Sequence, residues 1–444
     1  MARRYRKKPL PPSPGPVALT SLSHDGRGVT HIDGKAVFID QGLAGETVKF
    51  VYTLNKRDYA EGRVTEVLTP AADRVAPKCA HYPLCGGCSL QHLAMPAQIH
   101  HHQNMLNEQF VRLGKLEPPP LWPPLDGPHW GYRRKARLGV KYVPAKGRVL
   151  VGFRERGQSY LADMSTCEVL DARVGGKLMA LSELFGQLSI KAKIPQLEVA
   201  IGDTETVLAI RVLSPPTDED CQLLSAFSRE HGMTFYLQPK GPASIHALPG
   251  ETPPLPSYHL PAYDLTLHYK PAMFTQVNAD INRAMIDQAL AALQLETSDT
   301  VLDLFCGLGN FTLPLARHAG HVVGVEGDTP LVDQARANAI ANDLDNATFH
   351  VADLSRNLDD QPWAQRRYDK VLLDPSRAGA SEVLPWLKTW QPRRVVYVSC
   401  NPATLARDAG ILVHELGYKL VKAGIMNMFP HTAHVESMAL FTRR

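Results

Sequence analysis

The chain has 444 residues, of which 44% are hydrophobic and 21% are charged. This composition is typical of a folded globular protein rather than a disordered one, and the length predicts two or three domains. The sequence holds no run of about 18 apolar residues, so no transmembrane helix is predicted. The basic N-terminus lacks the apolar stretch of a secretory signal, so we expect a cytoplasmic protein with no membrane partner.

The net charge is +4, and its excess is local. The first ten residues carry five basic side chains and no acid: Arg3, Arg4, Arg6, Lys7 and Lys8. Residues 1–16 therefore form a basic, proline-rich arm, a composition that often serves to contact nucleic acid. A solvated tail that only aids solubility has the same composition, and the sequence leaves both interpretations open.

Residues 17–72 predict a small OB-like β-barrel. Asp25-Gly26 and Asp33-Gly34 each stand between β-favouring runs, which indicates two hairpins. Five short strands over this length fit a closed barrel of the OB kind, a common platform for single-stranded RNA. Four basic side chains either face an RNA backbone or act as ordinary lysines that protect edge strands: Lys35, Lys49, Lys56 and Arg57.

Residues 73–270 are expected to form an α+β central domain. A helix is predicted over 95–114, ended by Gly114. After a proline-rich connector, a predicted strand carries basic residues next to Trp130 and Tyr132: Arg133, Arg134, Lys135 and Arg137. Basic and aromatic residues mixed on a strand favour RNA contact, and an amphipathic edge strand is the alternative.

The chain has seven cysteines, an odd number at low density, which argues against a disulfide scaffold. Cys79, Cys85 and Cys88 follow a C-x5-C-x2-C spacing, and Cys167 comes much later. Four such thiolates suit either zinc or an iron–sulfur cluster. Zinc sites more often use two C-x2-C pairs, whereas a three-plus-one arrangement is more typical of iron–sulfur clusters. We therefore favour iron–sulfur, with zinc as the alternative.

Residues 271–444 predict a doubly wound α/β domain, because five apolar strands alternate with helical segments and each strand ends in polar or glycine residues. Asp303 opens a D-x-F-x-G-x-G-x turn after the first strand, and Glu326 ends the second strand, where a carboxylate can accept both hydroxyls of a ribose. Asp353 ends the third strand, where an acid can contact an adenine edge. This order of acids resembles the first motifs of S-adenosylmethionine-dependent methyltransferases.

Three further side chains stand at later strand ends of this domain. Cys400, in Ser-Cys-Asn-Pro, is predicted to be an exposed nucleophile suited to conjugate addition, although many buried cysteines are inert. Asp374, in Asp-Pro-Ser-Arg, lies near a transferred methyl group or a target base, or only caps a loop. Glu436, in His-Val-Glu-Ser, is placed to remove a proton, since a carboxylate among apolar neighbours is costly unless it is used or paired.

Together these motifs resemble the RNA uracil-C5 methyltransferases, and most closely the bacterial members that act on 23S ribosomal RNA. The resemblance covers nearly the whole chain and implies an N-terminal TRAM barrel, a cluster-bearing central domain and a C-terminal Rossmann-like class I methyltransferase domain. It also implies a 4Fe-4S cluster on the four cysteines named above, with a structural role. The implied S-adenosylmethionine contacts are Gln276 in Phe-Thr-Gln-Val-Asn, Phe305, Asn310, Glu326, Asp353 and Asp374. The implied nucleophile is Cys400 and the implied proton acceptor is Glu436. The family more often has Asp-Pro-Pro-Arg or Asp-Pro-Ala-Arg at residues 374–377, but the aspartate and arginine are kept.

The resemblance implies methyl transfer from S-adenosylmethionine to C5 of a flipped uridine in 23S ribosomal RNA, through a covalent cysteine adduct at C6. The protein is expected to act as a monomer. The alternatives are the same reaction on a transfer RNA or another ribosomal uridine, a non-catalytic iron–sulfur RNA-binding protein, and a methyltransferase for protein or small molecules. Cys400 and Glu436 argue against a pure binding protein, and the predicted barrel and basic arm argue against the last class.

Overall fold

The computed structural model describes residues 10–443, which divide into two compact units. Unit 1 is the chain up to His102 together with His431–His434, and unit 2 is Gln103–Pro430 with the chain from Val435 onward. Residues 1–9, most of the predicted basic arm, lie outside the described residues. In the part of the chain that is described, no helix is both long and apolar enough to span a bilayer.

Unit 1 contains a six-stranded sheet with the order β1-β5-β6-β4-β3-β2. Its strands are β1 (Val17–Ala18), β2 (Ser21–Leu22), β3 (Gly28–Ile32), β4 (Lys35–Asp40), β5 (Thr47–Asn55) and β6 (Tyr59–Thr69). All pairs are antiparallel except β4 with β6. The sequence predicted five strands, and the difference arises because β1 and β2 have only two residues each, too few to show an alternating pattern. Buried apolar side chains of this sheet form one core: Leu19, Val37, Ile39, Val48, Phe50 and Ala60.

The predicted hairpin at Asp33-Gly34 is confirmed. Ile32 pairs with Lys35 across the turn, and Asp33 and Gly34 have φ angles of 52° and 77°. Two successive residues with positive φ make a tight turn whose twist matches that of the flanking strands, which is why Asp-Gly is favoured there. The strand pairing around Asp25-Gly26 is also antiparallel, as expected.

Helix α1 (Met95–Gln109) and a following π-helical turn (Phe110–Gly114) together occupy the span predicted as helical. Lys115 then adopts a left-handed conformation with φ 53°, which ends the helix. In unit 2 the backbone of Gly114 lies against α9 (Pro402–His414), where a Cβ on Gly114 would come within 2.8 Å of the Ala406 carbonyl oxygen. A glycine at this position therefore permits a close approach of two backbones.

Unit 2 begins with a six-stranded sheet of order β12-β11-β10-β9-β7-β8 and a separate hairpin of β13 with β14. The elements are β7 (Lys135–Val143), β8 (Arg148–Gly152), α2 (Ala172–Gly175), α3 (Leu178–Gln187), β9 (Gln196–Ile201), β10 (Thr206–Arg211), α4 (Asp218–His231), β11 (Thr234–Gln238), β12 (His246–Ala247), β13 (Ser257–Leu260) and β14 (Leu265–His268).

The basic strand predicted near residue 133 starts only at Lys135, and most of its cations face partners inside the fold. Lys135 is buried, lies 3.5 Å from Glu198 and donates a hydrogen bond to the Pro271 carbonyl. Burial lowers the pKa of Lys135 to about 8. Arg137 also pairs with Glu198, at 3.0 Å, and Arg134 pairs with an aspartate. The interpretation of Lys135 as an RNA contact is therefore wrong, because its ammonium group is enclosed.

The second large sheet of unit 2 has seven strands in the order β17-β16-β15-β18-β19-β21-β20. Strands β15 to β19 are parallel, and β21 is antiparallel to both β19 and β20. The elements are α5 (Ala279–Leu293), β15 (Thr300–Leu304), α6 (Thr312–Ala316), β16 (His321–Glu326), α7 (Thr329–Ala341), β17 (Ala347–Val351), β18 (Lys370–Leu373), α8 (Leu387–Trp390), β19 (Arg394–Ser399), α9, β20 (Tyr418–Met426) and β21 (Glu436–Arg443). The five predicted parallel strands are confirmed, as are the two strands at the C-terminus. Their apolar runs are buried because helices cover both faces of such a sheet.

Candidate active site

The strand order reverses between β15 and β18, which opens a crevice at their carboxyl ends, the usual ligand site of a doubly wound sheet. Asp303 is fully buried on β15 and accepts a hydrogen bond from the Thr312 hydroxyl at 2.5 Å. Phe305, just beyond this strand, has a φ of 64°, in the left-handed region that a bulky side chain rarely adopts. Backbone strain of this kind concentrates at functional sites, and here it marks the glycine turn.

Glu326, the last residue of β16, is held by three backbone amides. Its Oε2 accepts a hydrogen bond from the Gly307 N–H at 3.2 Å, and its Oε1 accepts from Gly327 at 2.7 Å and Asp328 at 3.1 Å. One carboxylate thereby connects the glycine turn after β15 to the segment that leads into α7. Loss of this side chain would loosen both segments together.

Asn310 and Gln276 lie on one side of this site. The side chains of Asn310 and Asn282 exchange two hydrogen bonds, at 3.0 and 2.9 Å, and the Tyr258 hydroxyl donates to Asn310 at 2.8 Å. Gln276 lines a cleft of about 360 Å³ that Tyr258 and Asn282 also line. The structure thus brings these two predicted residues to one polar network.

Asp353 lies two residues beyond β17, and its side chain is 53% exposed. It accepts hydrogen bonds from the hydroxyl and the amide of Ser355 and pairs with Arg356 at 3.0 Å. These contacts lower the pKa of Asp353, the Ser355 hydroxyl having the largest effect. Asp353 therefore differs from the other predicted acids, which are enclosed.

Cys400 and Glu436 are brought together by strand register. In the antiparallel pair of β19 and β21, Ser399 stands opposite Ser437, so the next position outward places Cys400 opposite Glu436. The Ser437 hydroxyl donates to the Ser399 carbonyl at 3.2 Å, which fixes this register at its end. Cys400 is partly exposed, as predicted for a nucleophile, whereas Glu436 is only 6% exposed.

Carboxyl groups near the strand ends raise one another's pKa. Burial raises the pKa of Asp303 to about 8, with the charges of Asp374 and Glu326 adding to the effect. Burial and Glu326 raise the pKa of Asp374 to about 7. Burial and Asp374 raise the pKa of Glu436 to about 8, against the opposing charge of Arg377. Such a cluster of enclosed acids favours a cationic ligand.

The Cys400 thiol is protonated at neutral pH in the unliganded protein. Burial, Glu436 and Asp374 raise the pKa of this thiol to about 11, whereas Arg377 opposes the increase. The arginine of the Asp-Pro-Ser-Arg loop therefore favours the anionic forms of both Cys400 and Glu436. This electrostatic effect was not predicted from the sequence, because it depends on how the loop folds back.

A family model for tRNA (Uracil-5-)-methyltransferase matches residues 258–444. The 23S rRNA (uracil(1939)-C(5))-methyltransferase RlmD of Methylococcus capsulatus is 53% identical over 443 residues, covering 100% of both chains. The RlmD of Alkalilimnicola ehrlichii is 52% identical over 443 residues, covering 100% of this chain and 99% of its own. The chain belongs to the RNA uracil-C5 methyltransferase family.

The fold of this family member also has a solved counterpart. A crystal structure of the Pyrococcus abyssi tRNA (uracil-54, C5)-methyltransferase in complex with S-adenosyl-L-homocysteine matches with a TM-score of 0.75 at 20% sequence identity. The match covers 96% of this chain and 100% of that one. The predicted Rossmann-like methyltransferase fold of the C-terminal domain is thereby confirmed.

The four cysteines predicted to bind a cluster are all buried thiols. Cys79, Cys85 and Cys88 lie in a segment of turns in unit 1, where the Gly87 N–H donates to the Cys85 sulfur at 3.4 Å; Cys167 belongs to unit 2. An amide bond to sulfur favours the thiolate, so the donor chemistry fits a metal or cluster ligand set. Within residues 10–443, no group of three or more His, Cys, Asp or Glu side chains stands arranged around a metal position.

Asp408 escaped the sequence analysis, although it is fully buried on α9. A signal was available, because Asp408 shares the apolar stripe of Leu405, Ala409 and Leu412 at helical spacing. A carboxylate on the buried face of an amphipathic helix needs hydrogen-bonding partners. Its partners turn out to belong to the loop that carries Asp374 and Arg377.

Proposed function

We propose that this protein transfers a methyl group from S-adenosylmethionine to C5 of a specific uridine in 23S ribosomal RNA. The observation that carries the proposal is the placement of Cys400 opposite Glu436 at the ends of β19 and β21. The names of the two full-length relatives support it and suggest the uridine that corresponds to position 1939. The name of the family model favours transfer RNA as the alternative substrate.

In this proposal the crevice at the ends of β15 to β18 holds S-adenosylmethionine, which supplies an electrophilic methyl group. The proposed contacts are Gln276, Phe305, Asn310, Glu326, Asp353 and Asp374. Glu326 accepts the ribose hydroxyls, and Asp353 meets the adenine edge. The enclosed acids complement a sulfonium cation, and the raised pKa values of Asp303 and Asp374 support that match.

Cys400 acts as the nucleophile. Uracil C5 alone is a weak nucleophile, so the Cys400 sulfur forms a bond to C6, and the electrons of the C5–C6 double bond move into an enolate. C5 then takes the methyl group, and the sulfonium departs as a neutral thioether. The base must leave its stack to expose C6 and C5 in this way. Arg377 assists by favouring the thiolate.

Glu436 completes the cycle. Its carboxylate removes the proton from C5, the double bond between C5 and C6 re-forms, and the bond from C6 to the Cys400 sulfur breaks. The pKa of about 8 makes Glu436 a stronger base than an exposed glutamate once it is ionised. Activity should therefore rise with pH across this range.

In the same proposal, Cys79, Cys85, Cys88 and Cys167 bind one 4Fe-4S cluster with a structural role, and zinc is the alternative. The six-stranded sheet of unit 1 is an OB-like TRAM barrel that contacts RNA, its parallel pair of β4 with β6 being compatible with that topology. The protein acts in the cytoplasm as a monomer. The three-plus-one spacing and the buried thiols support the cluster.

The RNA substrate is tested by incubating the purified protein with labelled S-adenosylmethionine and either a 23S ribosomal RNA transcript or a mixture of transfer RNA transcripts. We expect 5-methyluridine at one position of the 23S transcript, the counterpart of 1939, and none in transfer RNA. Methylation of transfer RNA alone would overturn the proposed substrate. Loss of the same 5-methyluridine from ribosomal RNA of a gene-deletion strain is the matching test in cells.

The cluster is tested by anaerobic purification and metal analysis. Four thiolates around a 4Fe-4S cluster predict brown protein with about four irons per chain. Cys85→Ser should lose most of the iron, whereas Cys221→Ser, which changes a cysteine on α4, should keep it. Zinc bound at about one ion per chain, with no iron, would replace the iron–sulfur assignment by a structural zinc site.

A further inference from the structure

The loop of residues 374–380 follows β18 and carries both Asp374 and Arg377. Ser376, Arg377 and Ala378 at its tip are exposed, so side-chain packing alone does not fix its shape. The charges of this loop nevertheless act on the two residues proposed to carry the chemistry, since Arg377 lowers and Asp374 raises the pKa of Cys400 and of Glu436. Its position relative to Cys400 therefore matters for the reaction.

Helix α9 holds this loop at three backbone groups. The Asn401 side chain, at the N-cap of α9, donates to the Arg377 carbonyl at 3.0 Å. Arg407 Nη2 donates to the Ala378 carbonyl at 2.9 Å. Asp408 Oδ2 accepts a hydrogen bond from the Ala380 N–H at 2.8 Å.

Asp408 is the buried centre of these contacts. The same Oδ2 accepts a second hydrogen bond, from the Tyr397 hydroxyl on β19 at 2.6 Å, and the other oxygen pairs with Arg407 at 2.7 Å. The fit is close, because a Cβ on Gly379 would lie 2.5 Å from Arg407 and 2.7 Å from Asp408. Hydrogen bonds to a buried charged group are among the stronger ones, so the arrangement is stiff.

Cys400 immediately precedes the helix that makes these contacts. Its sulfur follows β19, next to the N-cap Asn401, so α9 connects the nucleophile rigidly to the loop. The charged groups that act on Cys400 are Glu436 on β21 and Asp374 and Arg377 on the loop. A displaced loop would therefore change the surroundings of the thiol without changing any residue that touches it.

We infer that Asp408, together with Arg407, is a positioning residue that fixes the loop carrying Asp374 and Arg377 against the Cys400 nucleophile. The inference rests on the proposed function, in which Cys400 adds to uridine C6. Asp408 itself touches neither substrate nor cofactor in this scheme. It acts by keeping Arg377 at the distance at which its charge favours the thiolate.

The test compares wild-type protein with Asp408→Asn, which keeps the shape of the side chain but removes its charge and one acceptor. Misplacement of reacting groups by a remote change can cost roughly 10²-fold in rate, and we expect a kcat loss approaching that size with little change in the KM for RNA. Alkylation of Cys400 by iodoacetamide, followed by peptide mass spectrometry, should show its pH midpoint shifted upward. A merely structural role for Asp408 would leave that midpoint in place.

Asp220→Asn is the matched control. Asp220 is also a buried aspartate that accepts a backbone N–H, from Ser189 at 2.7 Å, but it belongs to α4 beside the other sheet of unit 2. Its loss should lower thermal stability without moving the pH midpoint of Cys400. If Asp408→Asn fails to fold, Arg407→Met, at a more exposed position, should show a smaller shift in the same direction.

The outcomes separate the two claims. If the wild-type protein forms no covalent complex with 5-fluorouridine RNA, the proposed nucleophile fails. If wild-type protein forms the complex and folded Asp408→Asn shows the same rate and the same alkylation midpoint, only the positioning role is overturned. Reduced rate with a shifted midpoint supports both.

Discussion

Asp303, Asp374 and Glu436 are carboxyl groups that the fold withdraws from water at the carboxyl edge of one sheet. Their pKa values, about 8, 7 and 8, mean that each is partly protonated near neutral pH in the unliganded protein. Burial is the largest cause for all three, and neighbouring acids add to it. A bound cation would reverse part of this effect, because an opposite charge favours the ionised form.

The affinity for S-adenosylmethionine should therefore increase as the pH rises from 6 to 9. A group that is protonated when free and ionised when the cation is bound releases its proton on binding, so affinity increases by up to about tenfold per pH unit for each such group. Isothermal titration calorimetry at several pH values measures this directly. S-adenosylhomocysteine lacks the sulfonium charge and should show a weaker dependence. Equal slopes for both compounds would remove the acids from the neighbourhood of the sulfonium.

At the scale of elements, the contact between Gly114 and α9 shows how a single missing side chain sets a packing distance. A Cβ on Gly114 would meet the Ala406 carbonyl at 2.8 Å, and a Cβ on Gly410 would meet the Gly114 carbonyl at 3.0 Å. His414 adds a hydrogen bond to the same Gly114 carbonyl at 3.1 Å. These contacts support the helix that begins immediately after Cys400.

Gly114→Ala should destabilise the protein, whereas Gly186→Ala should stabilise it. The first change forces two backbones apart, and overpacking of this kind costs about 1–3 kcal/mol. The second adds a methyl group where nothing lies within 4 Å, on α3, and an alanine in a helix is favoured over glycine by about 0.5–1 kcal/mol. Thermal unfolding midpoints should move in opposite directions. A stabilised Gly114→Ala would contradict the close contact.

Elements with a strong local pattern were predictable from the sequence. The strands β15 to β19 are apolar runs followed by polar or glycine residues, a pattern that holds whatever surrounds them. The Asp33-Gly34 hairpin was predictable for a different reason, since its two positive φ angles need these residue types. Cys400 and Glu436 were found through their short motifs and not through any spacing between them.

Features that depend on distant partners were not predictable. Lys135 looks like a surface cation until Glu198 and Pro271 are placed beside it. Asp408 becomes meaningful only when Ala380 meets it from 28 residues away. The two-residue strands β1 and β2 form because partner strands are present, not because of their own sequence.

For the molecule as a whole, the central claim is that Cys400 and Glu436 act in succession on one uridine. The two residues come from different strands and meet only through the register of β19 with β21. Their tasks differ, so their variants should fail at different steps. Cys400→Ala should bind S-adenosylmethionine normally and neither form an adduct nor turn over.

The most direct measurement is therefore a denaturing gel, with peptide mass spectrometry, of Glu436→Gln incubated with S-adenosylmethionine and an unmodified 23S RNA fragment. The account predicts a methylated RNA–protein adduct attached at Cys400, because addition and methyl transfer proceed while removal of the C5 proton does not. Wild-type protein should form the corresponding stable adduct only with 5-fluorouridine RNA, whose C5 fluorine cannot leave as a proton. A folded Glu436→Gln protein with near-normal turnover and no adduct, or an adduct mapped to another cysteine, would contradict the account.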